Sequence, residues 1–414
     1  MSESKSRIDC LRLPDEAGVM LRSRLGLMPT DELRISYITG PGDVVGTYEQ
    51  WKNGQTDARV PIFAYSTMFY ELASLLDGHG QLLCEVEPPS DCTDPFQFVR
   101  LPSLSYRGRI GYRLGQSRRI RATLAAMDAF RPHLIVASSH VPATAWPALS
   151  RRAPVILSIH NTFWPMGRPL VGIQGNLKYR LLRRQATYPS SAVCISNECA
   201  RQVSGLTDGR VAGRLVCPQI PSTYLETPRQ RARRLLFIGR VEENKGVFLL
   251  LEAFASLMRD HPDLSLSFAG AGSADFALRE RVEALGSSRV KLLGRLSAQG
   301  IHQAISEADL LVCPTMTSFN EGLAVVGFEA ASHGVPSVLS SVVPAKDLLA
   351  PCALVFPAND GAALRACLSE LIEKDATYAE LVRRTADVCD LIYDRSRSWG
   401  SQLYLAMLDA VGAA

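Results

Sequence analysis

The chain has 414 residues, of which 47% are hydrophobic and 21% charged, and a formal net charge of +4. This length suits two domains, and this composition excludes a disordered or fibrous chain. No apolar run approaches the roughly 20 residues that span a bilayer, and no secretory leader or zinc-like cysteine spacing is visible, so we expect a cytoplasmic protein.

The first half alternates short apolar runs with helical stretches. Runs rich in Ile, Val and Leu predict strands at 33–38, 133–138, 154–159 and 191–196. Continuous apolar runs of this kind are typical of parallel strands covered on both faces. The loop after the first strand, TGPGDVVG, contains Gly42 and Gly46. We interpret it as a glycine-rich turn facing a cleft. A nicotinamide site is disfavoured, because no acid ends a second strand about 20 residues later.

A segment rich in arginine follows. Between Pro95 and Met127 the chain has no acidic residue, and its arginines are Arg100, Arg107, Arg109, Arg113, Arg118, Arg119 and Arg121. The interleaved aromatic residues are Phe96, Phe98, Tyr106 and Tyr112. A second basic cluster comprises Lys178, Arg180, Arg183 and Arg184. Two interpretations compete for these two basic clusters: a solvated basic face, or docking to anionic lipid headgroups beside a lipid-linked acceptor, with the Arg100–Arg121 segment as the expected contact. Nucleic-acid binding is disfavoured, because no recognition module accompanies the charge.

The two halves differ in charge and meet at a linker. Residues 226–414 contain 19 Lys/Arg and 23 Asp/Glu, out of 45 and 41 in the whole chain, so the first half is the basic one. The stretch 217–234 contains several prolines and arginines without a period, as exposed linkers do. We predict a first domain over residues 1–220. Because this half carries the excess of basic residues, we expect it to bind the anionic partners of the protein.

The second half repeats the strand–helix alternation. Strands are predicted at 234–239, 264–270, 289–294, 309–314 and 336–341. Glycine-rich loops follow the first two: GRVEENKG contains Arg240 and Lys245, and AGAGS contains Gly270 and Gly272. Ligands of open α/β sheets bind at the carboxyl ends of strands, and cations there can stabilise a departing diphosphate. The alternative, without a role in ligand binding, is that these cations form surface ion pairs with Glu242 and Glu243.

The stretch SFNEGLAVVGFEA places Glu321 and Glu329 eight positions apart in an apolar segment. We predict a buried helix from residue 323 to Gly334, with Glu321 in the loop before it and Glu329 on it. A span of eight residues is close to two helical turns, so both acids can point the same way. Buried carboxylates are costly unless they are hydrogen-bonded, and the hydroxyls of a sugar and a ribose can supply those bonds. The helix start between the acids offers free amides to a diphosphate.

These motifs, in this order, resemble glycosyltransferase family 4, most closely over 234–357. The resemblance implies a GT-B fold, in which two Rossmann-like domains face each other across a cleft, and a retaining, metal-independent hexosyltransferase without a cofactor. Arg240 and Lys245 would bind the donor diphosphate, Glu321 the sugar and Glu329 the ribose, with His160 near the reacting sugar. The other implied donor contacts are Gly42, Gly46, Gly270, Gly272, Gly294, Arg295, Gly322, Leu323 and Ala324.

The resemblance also divides the chain further. It implies a donor-binding domain over 221–398, and a C-terminal helix over 399–414 that crosses back to the first domain. Two departures are visible. The loop with Gly42 and Gly46 lacks the Gly-Gly pair that is common in the family. The family also often has Gly-Phe-Gly after the first glutamate, where this chain has Gly322-Leu323-Ala324. Leucine and alanine keep their amide donors, so phosphate binding is expected to survive.

The expected partners are a nucleotide-sugar donor and a glycan or lipid-linked acceptor, in bacterial surface polysaccharide or lipopolysaccharide assembly. The expected location is cytoplasmic, at the inner face of the membrane if the Arg100–Arg121 segment docks there. Two other functions remain open at this point: a sugar-nucleotide epimerase on the same scaffold, and a non-catalytic sugar- or lipid-binding module.

Overall fold

The structure, a computed structural model, describes residues 8–88, 95–104, 108–221 and 229–412. Within these ranges the strands form two separate sheets, one in each half of the chain, and every strand pair is parallel. Parallel strands need long crossovers, whose helices cover the faces of the sheet. The chain therefore has two doubly wound α/β domains, which confirms that prediction.

The first domain is built on a sheet with the order β3-β2-β1-β4-β5-β6-β7. Its strands are β1 (Leu33–Ile38), β2 (Gly78–Cys84), β3 (Phe96–Arg100), β4 (Leu134–Ser138), β5 (Val155–Ile159), β6 (Ser191–Cys194) and β7 (Gly213–Leu215). Its helices are α1 (Ala17–Arg24), α2 (Val44–Lys52), α3 (Tyr65–Leu75), α4 (Gly108–Phe130), α5 (Trp146–Ser150), α6 (Gly172–Gln185) and α7 (Asn197–Leu206).

The helices of this domain divide between the two faces of its sheet. Right-handed crossovers place α2 and α3 on one face and α4 to α7 on the other. Side-chain contacts show the same division of the helices. Tyr37 of β1 packs on Phe69 of α3 on one face of the sheet, and Gln81 of β2 donates to the carbonyl of Ala126 on α4 at 3.4 Å on the other face. The helices that follow β4, β5 and β6 thus share one side of the domain.

The second domain is built on a sheet with the order β10-β9-β8-β11-β12-β13. Its strands are β8 (Arg234–Ile238), β9 (Ser265–Ala269), β10 (Val290–Gly294), β11 (Leu310–Cys313), β12 (Ser337–Ser340) and β13 (Ala353–Phe356). The helices of the second half are α8 (Val247–Leu257), α9 (Asp275–Leu285), α10 (Ala298–Glu307), α11 (Val326–Ser332), α12 (Lys346–Leu349), α13 (Gly361–Glu373), α14 (Asp375–Arg383), α15 (Thr385–Tyr393) and α16 (Trp399–Gly412).

The last helix returns to the first domain. Helix α16 packs against β6 and α3, and it buries Trp399, Leu403, Tyr404 and Met407 there. Full burial of one such side chain contributes roughly 1.5–3 kcal/mol. The same apolar core continues through Phe328 of α11 and the buried face of α15, whereas the rest of the second domain has its own core. The two domains are therefore joined by packed side chains as well as by the linker.

Four strands had no counterpart in the sequence prediction: β2, β3, β7 and β13. Strand β2 begins Gly-His-Gly and β3 alternates Phe-Gln-Phe, so neither shows the continuous apolar run of a central strand. Strand β7 has three residues, which is too short for any period to show, whereas β13 is the four-residue apolar run ALVF, which the prediction did not assign.

The arginine-rich segment differs from its prediction in its aromatic residues. Phe96 and Phe98 lie in β3, where they are buried against Tyr48 of α2, so they are core residues and not surface anchors. Arg100 and Arg119 form ion pairs with Glu87 and Glu85. The exposed arginines of α4 are Arg113, Arg118 and Arg121. Tyr106, Arg107 and the side chain of Arg109 lie outside the described residues.

None of the helices in the described ranges is both long and apolar enough to cross a membrane.

Candidate active site

Four loops of the second domain leave its sheet at one edge. Parallel strands β8, β9, β10 and β11 end at Ile238, Ala269, Gly294 and Cys313, and the loops after them contain the predicted donor residues. Gly270 lets two of these loops touch, because a Cβ at this position would lie 1.8 Å from the carbonyl oxygen of Gly239. Its amide donates to the carbonyl of Gly294 at 2.8 Å. The loops after β8 and β9 and the end of β10 thus approach each other closely through glycine backbones at this edge of the sheet.

The remaining glycines of these loops have separate roles. A Cβ on Gly272 would lie 2.3 Å from the carbonyl oxygen of Val241, so this glycine also serves close backbone approach. Gly294 has a left-handed φ of 66° and open space beside it, and Arg295 after it is exposed. Among the described residues, no hydrogen-bond or ion-pair partner of the Arg295 side chain is found. An exposed, unpaired cation at this edge is free to contact a ligand.

Two cations flank one aromatic ring. The Nζ of Lys245 lies 4.1 Å from the centroid of the Phe319 ring, and the guanidinium carbon of Arg240 lies 4.9 Å from it. Lys245 also forms an ion pair with Glu321, whereas Arg240 pairs with Glu242 at 2.9 Å. The Lys245 side chain is 15% exposed and that of Arg240 60%. Lys245 is thus the inner cation, and the surface pairing considered for Arg240 is present.

The segment between the two glutamates is not helical throughout. Helix α11 begins at Val326, so the prediction of a helix from 323 is wrong, and with it the argument that two helical turns align Glu321 with Glu329. The cause is Ala324, whose φ of 69° is left-handed and cannot continue a helix. This alanine stands where the resembling family often has glycine, and the chain tolerates the resulting strain of about 1 kcal/mol.

The same bend leaves backbone donors available. Within the described residues, the amides of Leu323, Ala324 and Val325 donate to no protein acceptor. A left-handed residue beside right-handed ones turns successive amides toward one side, as in anion-binding nests. Glu321 adjoins these amides and accepts a hydrogen bond from Thr315 Oγ1 at 3.2 Å. The loop after β11 therefore carries free amides and a carboxylate, and Lys245 from the loop after β8 pairs with that carboxylate.

Glu329 lies on α11 and is 7% exposed. Within the described residues its carboxylate accepts no hydrogen bond from protein. Burial raises the pKa of Glu329 to about 7, because the charged form loses hydration without gaining a partner. Such a carboxylate is a ready acceptor for the hydroxyl groups of a ligand.

On the facing domain, His160 follows β5 and contacts Ser158. The imidazole Nε2 lies 2.8 Å from Ser158 Oγ, which accepts a hydrogen bond from Trp399 Nε1 at 2.8 Å. Because Trp399 Nε1 can only donate, His160 Nε2 is the acceptor that the described residues offer to the Ser158 hydroxyl proton, so we assign the neutral Nδ1–H tautomer. Burial lowers the pKa of His160 to about 3, and Nδ1 has no partner within the described residues. His160 is thus an uncharged hydrogen-bond donor.

A cavity of about 340 Å³ opens beside His160. Its wall includes Gly42, Asp43, Tyr65 and His140, from the loops after β1 and β4 and the start of α3. Gly46 has a local role instead: its amide donates to Asp43 Oδ1 at 2.8 Å, and a Cβ there would collide with the Asp43 carboxylate. Gly42 therefore faces the cavity, and Gly46 makes room for the cap of α2.

The two domains meet directly between these loops. A Cβ on Gly322 would lie 2.5 Å from the carbonyl oxygen of His160. Asn320 Nδ2 donates to the carbonyl oxygen of Thr162 at 2.9 Å, and a Cβ on Gly167 would lie 2.6 Å from Thr317 Cβ. The loop after β5 therefore lies against the loop after β11, which brings His160 beside the glutamate segment.

Comparison with known sequences covers the second domain. Residues 232–374 match the family model described as Glycosyl transferases group 1. A GDP-mannose-dependent monoacylated alpha-(1-6)-phosphatidylinositol monomannoside mannosyltransferase of Corynebacterium glutamicum is 31% identical over 140 residues, 33% of this chain and 36% of that one. A glycogen synthase of Mycobacterium tuberculosis is 32% identical over 120 residues, 28% of this chain and 27% of that one. The chain thus matches about a third of the length of these relatives.

Comparison with solved structures covers both domains. Sucrose-phosphate synthase from Thermosynechococcus elongatus superposes with a TM-score of 0.61 at 16% identity, over 91% of this chain and 97% of that one. Anabaena HepE in complex with UDP gives 0.61 at 14% identity, over 90% and 98%. The chain has the GT-B fold. At these identities the likeness concerns architecture alone, and it confirms the predicted fold class.

Sequence reasoning missed four residues of this GT-B cleft. The ring of Phe319 contacts both cations, and Asn320 forms a hydrogen bond between the domains. Ser158 and Trp399 determine which ring nitrogen of His160 carries the proton. Glu198 of α7 is 5% exposed and accepts a hydrogen bond from Gln202 Nε2, and Gln202 Oε1 accepts one from the amide of Phe163. Ser158 and Asn320 are polar residues within two positions of His160 and Glu321, which was the available signal for these two; Trp399 is remote in the chain and gave none.

Within the described ranges, no three of the His, Cys, Asp and Glu side chains converge as metal ligands do.

We expect the substitution Glu329→Gln to stabilise the protein in a pH-dependent way. The folded-state pKa of about 7 lies above the ordinary value of 4.5, so the folded state holds more protons between these pH values and stability falls as pH rises. Above pH 7 the buried charge costs about 3 kcal/mol, a cost that the amide removes. The variant should exceed the wild type in thermal midpoint at pH 8 and equal it near pH 4.5.

The matched control is Glu280→Gln on the exposed surface of α9. A Glu329→Gln advantage of the same size at both pH values would contradict the assignment of a buried, unpartnered carboxylate.

Proposed function

We propose that this chain is a retaining glycosyltransferase of family 4 type, which transfers a hexose from a nucleotide-diphosphate sugar to an acceptor hydroxyl. The observation that carries the proposal is the cluster after β8 and β11: Lys245 and Arg240 on the Phe319 ring, with Glu321 and free amides beside them. The match of residues 232–374 to a glycosyltransferase family model supports it.

The donor is proposed to bind across this cluster. The negatively charged diphosphate binds to Lys245 and to the amides of Leu323 and Ala324. Arg240, which is more exposed, contacts the diphosphate from the outer side of the site. The ribose hydroxyls donate to Glu329, whose carboxylate has no partner among the described residues, and the base lies beside Gly294 and Arg295. Because donation favours the charged carboxylate, donor binding lowers the pKa of Glu329 and strengthens as pH rises through 7.

Across the cleft, the sugar is proposed to lie between Glu321 and His160. The Nδ1–H of His160 and the carboxylate of Glu321 are a donor and an acceptor for its hydroxyl groups, and the contact of Gly322 with His160 holds them close. A neutral imidazole suits this role, because it adds no positive charge beside the oxocarbenium-like carbon.

The reaction breaks the bond between the anomeric carbon and the diphosphate oxygen and forms a bond from that carbon to the acceptor oxygen. The acceptor proton passes to the departing phosphate oxygen, which serves as the base, and both bonds lie on one face of the sugar. Lys245 and the free amides stabilise the charge that develops on the leaving group. Contact between the two loops excludes water. The proposal requires neither a metal ion nor a further cofactor.

The acceptor is proposed to be a glycan or a lipid-linked glycan of bacterial surface polysaccharide assembly. The cavity beside His160 provides room for it in the first domain. That domain carries the excess of basic residues, which suits an acceptor with a phosphate.

A panel of UDP-, GDP- and ADP-sugars tests the proposal. We expect one donor to raise the melting temperature, since binding at a hundredfold excess over Kd stabilises by about 2.7 kcal/mol. With an acceptor present, nuclear magnetic resonance should show a product whose anomeric configuration equals that of the donor. An inverted sugar formed from donor alone would instead indicate an epimerase, and no turnover of any donor would indicate a binding module.

A further inference from the structure

Helix α6 of the first domain has an unusual surface. None of its residues is fully buried, and Ile173, Leu177 and Leu181 are 90%, 58% and 54% exposed. These residues recur every four positions and form one ridge along the helix. Val171 at 74% exposure extends the ridge before the helix begins. The opposite side of α6 packs on the domain through Tyr179 and Leu182. The ridge therefore points away from the protein.

Cations accompany this ridge, and the helix itself contains no acidic residue. Arg180 and Arg184 follow Ile173 and Leu177 by seven residues, so they return to the same side of the helix. Both are exposed, and within the described residues neither side chain has an ion-pair partner. Lys178 and Arg183 lie toward the sides of the ridge, where Arg183 pairs with Asp208 at 2.5 Å. The sequence from residue 129 to residue 197 contains no acidic residue.

The ridge adjoins the cleft. Helix α6 follows the loop that leaves β5, and that loop contains His160, Thr162 and Gly167, which contact the second domain. Lys178 Nζ donates to the carbonyl oxygen of Phe163 at 3.3 Å, which ties the helix to the same loop. The exposed arginines of α4 lie on the same face of the sheet as α6. A partner bound to α6 would therefore lie beside the entrance to the candidate active site.

We propose that α6 docks this protein on the surface of an anionic lipid bilayer, with Ile173, Leu177 and Leu181 in the headgroup–acyl boundary and Arg180 and Arg184 at the anionic headgroups. A helix with an apolar ridge, basic flanks and no acids is the pattern of an interfacial helix. Arginine side chains reach along an apolar surface to place their charge in the headgroup layer. Docking does not depend on the transfer reaction, although it would bring lipid-linked acceptors to the cleft.

The charge pattern favours a bilayer over other occupants. A second copy of α6 would place like charges together, which opposes self-association. A nucleic acid would use the cations but gain nothing from three adjacent aliphatic side chains, which offer no stacking surface. A bilayer uses both features at once.

Co-sedimentation with vesicles tests the proposal. The wild-type protein should sediment with vesicles of equimolar phosphatidylcholine and phosphatidylglycerol far more than with phosphatidylcholine alone, and less as salt increases. The triple variant Ile173→Gln/Leu177→Gln/Leu181→Gln should lose at least tenfold in partition, because glutamine keeps the helix propensity but removes the apolar ridge. Phe276→Gln on α9, where the phenylalanine is 74% exposed, is the matched control and should sediment as the wild type does.

The cations are tested separately. Arg180→Ala/Arg184→Ala should lower partition into the anionic vesicles about thirtyfold, since each basic residue contributes about fivefold near such a surface. Arg279→Ala/Arg365→Ala, two exposed arginines of the second domain, is the control. Melting temperatures and donor-induced shifts should remain those of the wild type, because no altered residue lies in the site.

Three results would overturn the proposal. The triple glutamine variant could sediment as the wild type does, or the wild type could fail to distinguish the two vesicle compositions. Sedimentation velocity without lipid could also show a dimer that the glutamine variant abolishes, and the ridge would then be an interface between two copies. None of these results would bear on the transfer reaction, which is measured with soluble donor and acceptor.

Discussion

Lys245→Ala should reduce the transfer rate by about 10²- to 10³-fold while the protein remains folded. Lys245 is the inner of the two cations, 15% exposed, in contact with Glu321 and with the Phe319 ring. A fixed cation in this setting acts on charge that grows as the diphosphate departs, so kcat should fall more than KM for the donor rises. Steady-state kinetics with the donor identified by the panel measures both quantities.

The control for this prediction is Lys291→Ala, which removes an exposed lysine of the same domain from β10. Removal of Lys245 also leaves Glu321 without its cation in a partly buried position, so the melting temperature must be measured beside the rate. A folded Lys245→Ala protein with turnover within twofold of the wild type would refute the placement of the diphosphate.

Gly322→Ala should reduce the transfer rate by about 10- to 100-fold with little change in the melting temperature. The added Cβ would lie 2.5 Å from the carbonyl oxygen of His160 and 2.8 Å from Asn161 Oδ1, both in the other domain. One loop must therefore move away from the other, and displacement of a reacting group by about 1 Å can cost 10²-fold in rate. Neither domain core contains Gly322, so the cores should be unaffected.

Gly205→Ala on α7 is the matched control, because a Cβ there meets nothing within 4 Å. Alanine is the better helix former, so this control should gain up to about 1 kcal/mol in stability and keep its rate. The Gly322 prediction is also free of backbone strain, because Gly322 is not among the glycines with left-handed φ. Wild-type rates for Gly322→Ala would show that the contact between the loops does not position the reacting groups.

The sequence alone determined the class of the fold and the identity of most candidate site residues. Central strands such as β4 and β5 are buried on both faces, and such burial requires continuous apolar runs that are visible in the chain. Glycine loops after strands indicated the ligand edge, because parallel strands end on one side. Arg240, Lys245 and Glu321 were identified by residue type and order, and contacts through Phe319 and the Lys245–Glu321 pair bring them together.

The local sequence pattern did not show which apolar residues are buried by other elements of the fold and which remain exposed. Phe96 and Phe98 looked like surface aromatics within a basic segment but are buried at the sheet edge, whereas Leu177 and Leu181 of α6 are exposed. Both sets are apolar residues among cations, and only the packing of distant elements distinguishes them. Nor could the sequence show that Ala324 adopts a left-handed φ, because this conformation is imposed by the surrounding loop.

The chemistry of the site also depended on tertiary contacts. The proton of His160 is set by Ser158 and by Trp399, which is more than 200 residues away in the chain, and the pKa of Glu329 is raised by a core that several elements build. Residue type decides which groups can bind a sugar, a phosphate or a proton. Burial and distance decide their charge and orientation, and these arise only when remote parts of the chain exclude water from one another.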